Sequence, residues 1–186
     1  MGHMRHFALL LLICVLAALN GCGYAAYGLY DDQRLMDTIA DDKALATGIK
    51  GALMDADFGD GWEIAVYAYY GNVFLVGEVP AAMQDKAVAI ARKHKPRSLT
   101  THWFSAARSD SSDFTLGASL RTDLIGTKGL SSTRIDTEVN AGRVVLLGVV
   151  QDDREKEIAI RTARKVKGVT EVTSYLLLPP RAGQQK

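Results

Sequence analysis

The feature that most constrains this chain is that it repeats itself. Ile49-Lys50-Gly51-Ala52-Leu53 lines up with Leu120-Arg121-Thr122-Asp123-Leu124 at a shift of 71 residues. At the same shift Ile64 meets Ile135, Gly71 meets Gly142, and Val73-Phe74-Leu75-Val76-Gly77 meets Val144-Val145-Leu146-Leu147-Gly148. One added residue then brings Ala87 and Ala91 onto Ala159 and Ala163. Two glycines and several apolar blocks kept in register over this length mark a duplicated structural unit. A unit of ~65–70 residues has a thin core, so packing the two copies together would help both.

Each copy reads as helix, hairpin, helix, strand. In the first, Asp41 or Asp42 is placed to cap a helix whose Leu45, Ile49, Ala52 and Leu53 share one face. Trp62, Ile64 and Val66 alternate with Glu63, Ala65 and Tyr67, as in a strand with one buried side. Gly71-Asn72 makes the turn, and Val73 to Val76 returns as a more buried strand. Pro80 opens a helix with Met83, Ala87, Ile90 and Ala91 inward, and Pro96 follows its end. In the second copy Leu116, Leu120 and Leu124 form one stripe, and Ile135, Thr137 and Val139 alternate. Ala141-Gly142 turns and Val144 to Leu147 returns. Asp152 or Asp153 caps a helix carrying Ile158, Ala159, Thr162, Ala163 and Val166, which Gly168 closes before a strand from Val169 to Leu178.

The fold class expected is therefore α+β, with two small repeated αββαβ domains. Each is a three-stranded mixed sheet packed with two helices, its parallel crossover right-handed. The boundaries expected are 41–106 and 113–180, with a Ser-Asp-Ser-Ser linker near Ser105 to Ser112 and a tail over 181–186.

Ahead of the repeats stands an export signal. Met4, which we expect to be the natural start, opens a short positive stretch with Arg5, and Phe7 to Leu19 is almost unbroken hydrocarbon. That run is too short to span a bilayer and matches a signal-peptide core over 1–21. It ends at Leu19-Asn20-Gly21-Cys22, which resembles the lipobox of bacterial lipoproteins, with Asn20 a departure from the usual residue there. The resemblance implies that Cys22 is lipidated and becomes the mature amino terminus, followed by a linker over 22–40. Gly23, in place of Asp, implies sorting to the outer membrane, on its periplasmic face. The alternative is an ordinary cleaved signal with Cys22 incidental.

Charge narrows the partners. Lys plus Arg number 22 and Asp plus Glu 21, so no net field draws the molecule to nucleic acid. Twelve acids and nine bases lie from Asp31 to Asp110, against nine and twelve from Asp113 to Lys186. The cysteines, Cys14 and Cys22, both precede the repeats, so no structural disulfide is expected. His94 and His102 have no zinc-ligand spacing around them, and Asp31, Asp32, Asp37, Asp41 and Asp42 lack that of a cation loop. Neither a nucleophile motif nor a phosphate-cradling glycine loop is present. No metal, no cofactor and no enzymatic activity are expected.

Val73-x-Leu75-x-Gly77, Val144-x-Leu146-x-Gly148 and Gly168-Val169-x-x-Val172 together resemble the BON domain. In the first copy Pro96-Arg97-Ser98-Leu99 stands where Gly-Val would. With the lipobox and Asp31-Asp32-Gln33-Arg34, the tandem order is similar to outer-membrane lipoproteins of the division-associated lipid-binding protein family. That likeness implies binding of anionic phospholipid and support of outer-membrane integrity. The competing class is a scaffold that holds an envelope protein partner or peptidoglycan.

Two surfaces are candidates for such binding. On the last helix Arg154, Lys156, Arg161, Arg164, Lys165 and Lys167 resemble a headgroup patch, but with Asp152, Asp153, Glu155 and Glu157 at the helix start and most bases at its end, the order that complements a helix dipole is favoured. The first helix of the second copy is more suggestive. At about 100° per residue, Phe114, Ala118, Arg121 and Ile125 cluster on the order of 130° away from the leucine stripe. Phe and Ile at the acyl boundary with Arg on phosphate is an interfacial-helix pattern. The alternative is that this face packs on the first domain.

Overall fold

A computed structural model describes residues 36–107 and 112–180. The expected signal segment, Cys22, most of the linker over 22–40, part of the inter-repeat linker and the tail lie outside the described residues.

The first repeat runs α1 (Met36–Ala56), α2 (Phe58–Glu63), β1 (Ala65–Tyr69), β2 (Asn72–Gly77), α3 (Ala81–Lys93) and β3 (Ser98–Trp103). The second runs α4 (Asp113–Gly126), a 3-10 turn (Ser132–Arg134), β4 (Ile135–Asn140), β5 (Arg143–Val149), α5 (Asp153–Lys165) and β6 (Glu171–Leu177). Each repeat forms its own three-stranded sheet, ordered β1-β2-β3 and β4-β5-β6. The hairpin strands pair antiparallel and the strand after the crossover helix pairs parallel, Val73 with Leu99 and Val144 with Val172. The chain is thus α+β, with one mixed αββαβ unit built twice.

Both middle strands are buried on both faces, which is why they read as unbroken apolar runs. Val73 and Leu75 face the helices with Ile49, Leu53, Met83, Ala87 and Ala91. Val144 and Leu146 do the same with Leu116, Leu120, Leu124, Ala159 and Ala163. The intervening Phe74, Val76, Val145, Leu147 and Val149 turn the other way, joining Tyr69 and Phe104 in a third cluster between the two sheets. The sheets therefore pack on each other, with the helices outside.

Gly77 and Gly148 close the two Val-x-Leu-x-Gly runs for one steric reason. A Cβ at Gly77 would lie 2.6 Å from the Glu63 carbonyl oxygen, and one at Gly148 would lie 2.0 Å from that of Arg134.

Three local expectations change. Asp41 and Asp42 do not cap α1, which already runs from Met36. Asp42 is instead buried inside the repeat and accepts from the backbone N–H groups of Tyr70 and Gly71 at 2.8 and 2.7 Å, fixing the hairpin turn. Trp62 is not the start of a strand but the exposed end of α2. Asp57 caps that helix through the Asp60 N–H, and Gly61 packs so close to α1 that a Cβ would lie 2.4 Å from the Leu53 carbonyl oxygen. After Pro96 the chain forms the expected last strand, Arg97 N–H donating to the Gly71 carbonyl at 2.9 Å and setting the register of β3. Finally, Glu155 is no dipole ornament. It is buried, pairs with Arg134 at 2.9 Å, and accepts from the N–H groups of Ser131 and Gln151.

Candidate functional site

The leucine stripe of α4 is driven into the core, Leu116, Leu120 and Leu124 all being buried. Its opposite side is left outward. Phe114 is 86% exposed, Ile125 is 53% exposed, and Ala118 is exposed between them. This face borders a shallow groove of ≈ 560 Å³ along edge strand β4, shared with Gly117, Val139, Asp113, Asp136 and, from the first repeat, Tyr67. The first repeat therefore reaches the groove without covering the face.

Arg121 also lines this groove, with its guanidinium engaged by backbone carbonyls. Its guanidinium donates to the carbonyls of Ser132 at 3.2 Å and Ile135 at 2.8 Å. In the first repeat Lys50 holds the equivalent place, and its ammonium donates to Gly61, Trp62 and Ile64 carbonyls at 2.7–2.9 Å. Gly61 and Ile64 are the counterparts of Ser132 and Ile135 at the 71-residue shift. The long basic side chain thus ties the first helix of each repeat to the turn that enters its sheet. Burial lowers the Lys50 pKa, against the opposing pull of Glu63 and Glu138.

The polar groups flanking the groove continue into the contact between the sheets. The Tyr67 hydroxyl donates to Glu138 and the Tyr69 hydroxyl to Asp136, each at 2.5 Å. At the far side His102 Nδ1 lies 3.2 Å from the Tyr175 hydroxyl. Further out, Asn140 donates to Glu78 at 2.8 Å and the Arg143 guanidinium to the Ser105 carbonyl at 2.7 Å. Burial raises the Glu138 carboxyl, the hydrogen bond from Tyr67 opposing it. Burial and the neighbouring Glu138 charge push the Tyr67 phenol up, so it is a neutral donor. Burial also lowers His102.

Tyr67 and Glu138 occupy the same place in the two repeats, and so do His102 and Tyr175, which stand opposite Val76 and Leu147 in the sheet registers. Residues that touch their own counterparts lie along a twofold axis, so the repeats are related by an approximate one.

The tyrosine–carboxylate pairs were not anticipated. The alternation of β4 marked Asp136 and Glu138 as the polar side of a half-exposed strand, which is also how a solvent face reads. The available signal was on the other copy, where Tyr67 and Tyr69 hold the same side. Among the described residues, no group of His, Cys, Asp and Glu is placed to hold a metal ion, and no helix is long and apolar enough to cross a membrane.

The profile of the BON domain family matches residues 41–95 and 112–180. Among solved structures, the C-terminal domain of CdsD, "the structural protein of the Type III secretion system of Chlamydia trachomatis", is similar at 14% identity. That match covers 75% of this chain and 67% of the other, with a TM-score of 0.33. A second structure of CdsD matches at 13% identity over 75% of this chain and 64% of that one, also with a TM-score of 0.33. The chain thus spans about two thirds of the length of these neighbours.

Proposed function

The chain belongs to the BON-domain family, and from that premise we propose that it is a non-enzymatic envelope lipoprotein that binds phospholipid through its second repeat and supports outer-membrane integrity. Cys22 is its lipid anchor in this reading, on the periplasmic face of the outer membrane. Several buried acyl chains at ~0.8 kcal/mol per CH₂ give stable attachment.

The observation that carries the binding role is the outward side of α4. Phe114 and Ile125 are eleven residues apart, which at about 100° per residue puts them within roughly 20° of each other around the helix. An exposed pair of this kind, on a helix whose other side is already buried, is suited to lie at an acyl boundary. Arg121 is occupied with carbonyls, and Asp113 and Asp136 stand at the groove. Apolar insertion by Phe114, Ala118 and Ile125 therefore supplies most of the affinity. Attraction to anionic headgroups comes from the mild basic excess of the second repeat as a whole.

Vesicle co-sedimentation of the protein with Phe114→Ala tests this. Full burial of that side chain in lipid is worth about 1.5–3 kcal/mol, a loss of roughly ten- to hundredfold in affinity. The urea midpoint should not move, because Phe114 is almost wholly exposed and Leu116, Leu120 and Leu124 carry the core side of the helix. Unchanged vesicle binding would overturn the site.

A further inference from the structure

A second exposed apolar feature lies in the first repeat and has no equivalent in the other. Phe58 and Trp62 stand four residues apart on α2, 70% and 61% exposed, with ring centroids 6.3 Å apart and planes 28° from parallel. The Lys50 ammonium lies 5.5 Å from the centre of the Trp62 ring and is itself fixed by three backbone carbonyls. The pair is thus held in place before anything binds. At the 71-residue shift the same positions are Gly129 and Thr133. The second repeat enters its sheet without aromatic residues there, so the fold does not require them.

Charge identifies what fits. Asp55, Asp57, Asp60 and Glu63 flank the two rings along the chain, and Asp55, Asp57 and Glu63 are exposed. Lys50 and Lys86 are the bases at this end, and both ammonium groups are turned onto carbonyls, Lys86 onto that of Ala56 at 2.8 Å. Stacked aromatic anchors inside an acidic rim repel a layer of phosphates and attract cationic side chains. We propose that α2 is a docking surface for a basic, partly apolar segment of another protein, separate from the phospholipid contact on α4.

Trp62 itself can report on this. The chain has two tryptophans, so in the full chain with Trp103→Phe all indole emission comes from Trp62. The probes are a synthetic peptide of alternating lysine and leucine, its glutamate counterpart, and vesicles of mixed phosphatidylglycerol and phosphatidylethanolamine. The basic peptide should shift the emission saturably, and more weakly as salt rises. Phe58→Ala should weaken that binding about tenfold, the loss typical of an aromatic interface anchor. Asp55→Asn with Glu63→Gln, both exposed and outside the core, should also weaken it and keeps the test open if Phe58→Ala perturbs α2. No saturable response to the basic peptide, an equal response to the acidic one, or a Trp62 response to vesicles matching that to the basic peptide would each overturn the proposal. Vesicle binding through Phe114 is read by sedimentation, so either reading can fail without the other.

Discussion

Lys50 and Arg121 make the same bonds from the same place with different chemistry. Each satisfies carbonyls at the turn into a sheet, where those oxygens are partly withdrawn from water. Replacing the cation by a hydrocarbon of similar length removes charge-assisted hydrogen bonds from these carbonyls, at a cost of about 1.5–3 kcal/mol. Arg121→Met should therefore lower the urea midpoint, while Arg121→Lys should keep most of the native stability, since lysine already does this work at position 50. If Arg121→Met left stability unchanged but abolished vesicle binding, Arg121 would be a lipid ligand after all. A basic residue on the outward face of an amphipathic helix reads as a surface charge, because its carbonyl partners lie eleven to fourteen residues on. The repeat held the clue, in that both copies carry a long cation at one position. The burial of Glu155 is hidden in the sequence for a similar reason. Its place in the first turn of α5 suits a dipole, and only the approach of Arg134 from the turn that enters β4 shows that it is a buried partner.

At the scale of elements, the parts read correctly were those whose burial follows the period of their own segment. The leucines of α4, the runs of β2 and β5 and the alanines of α3 and α5 all repeat at a spacing set by one helix or strand. The elements misread were decided by contacts from elsewhere. α2 exists because Asp57 caps it, Lys50 closes it and Gly61 lets it approach α1, whereas the alternation of Trp62, Ile64 and Val66 alone favours a strand. Asp42 sits within a helix because its carboxylate is used 28 residues later at the hairpin turn. The glycines at the ends of β2 and β5 give a graded test of close approach. At Gly148 φ is +132°, so alanine there meets both backbone strain and the Arg134 oxygen, whereas Gly77 has the steric conflict alone. Gly148→Ala should therefore destabilise more than Gly77→Ala, each by about 1–3 kcal/mol or more, measured by thermal unfolding. Equal effects would show that the steric conflict, not φ, sets the cost.

In the whole molecule, the contact between the sheets carries two titrating groups whose effects oppose. Burial raises the Glu138 carboxyl above its ordinary 4.5, so the folded protein holds that proton more tightly than the unfolded chain. From 4.5 up to the raised value, its contribution to stability falls as pH rises. Burial lowers His102 below 6.5, so just under that value the unfolded chain takes the proton more readily and stability falls with acid. Glu138→Gln keeps an acceptor for Tyr67 and removes the first effect. Between pH 6.5 and 4.5, urea midpoints of that variant should drop more steeply on acidification than those of the native protein. Parallel curves would mean that Glu138 does not titrate in that window.

The approximate twofold axis decides which repeat can pair with which. Two subunits of a symmetric pair, once joined end to end, no longer have to be identical where they touch. At those positions tyrosine now faces glutamate and histidine faces tyrosine. A second repeat paired with a copy of itself would press one Glu138 against another, and a first repeat would set His102 against His102. At those positions each half presents a side chain that the other half complements better than a copy of itself would, and because both lie on one chain the partner is always at hand. The two repeats are complementary partners rather than interchangeable copies.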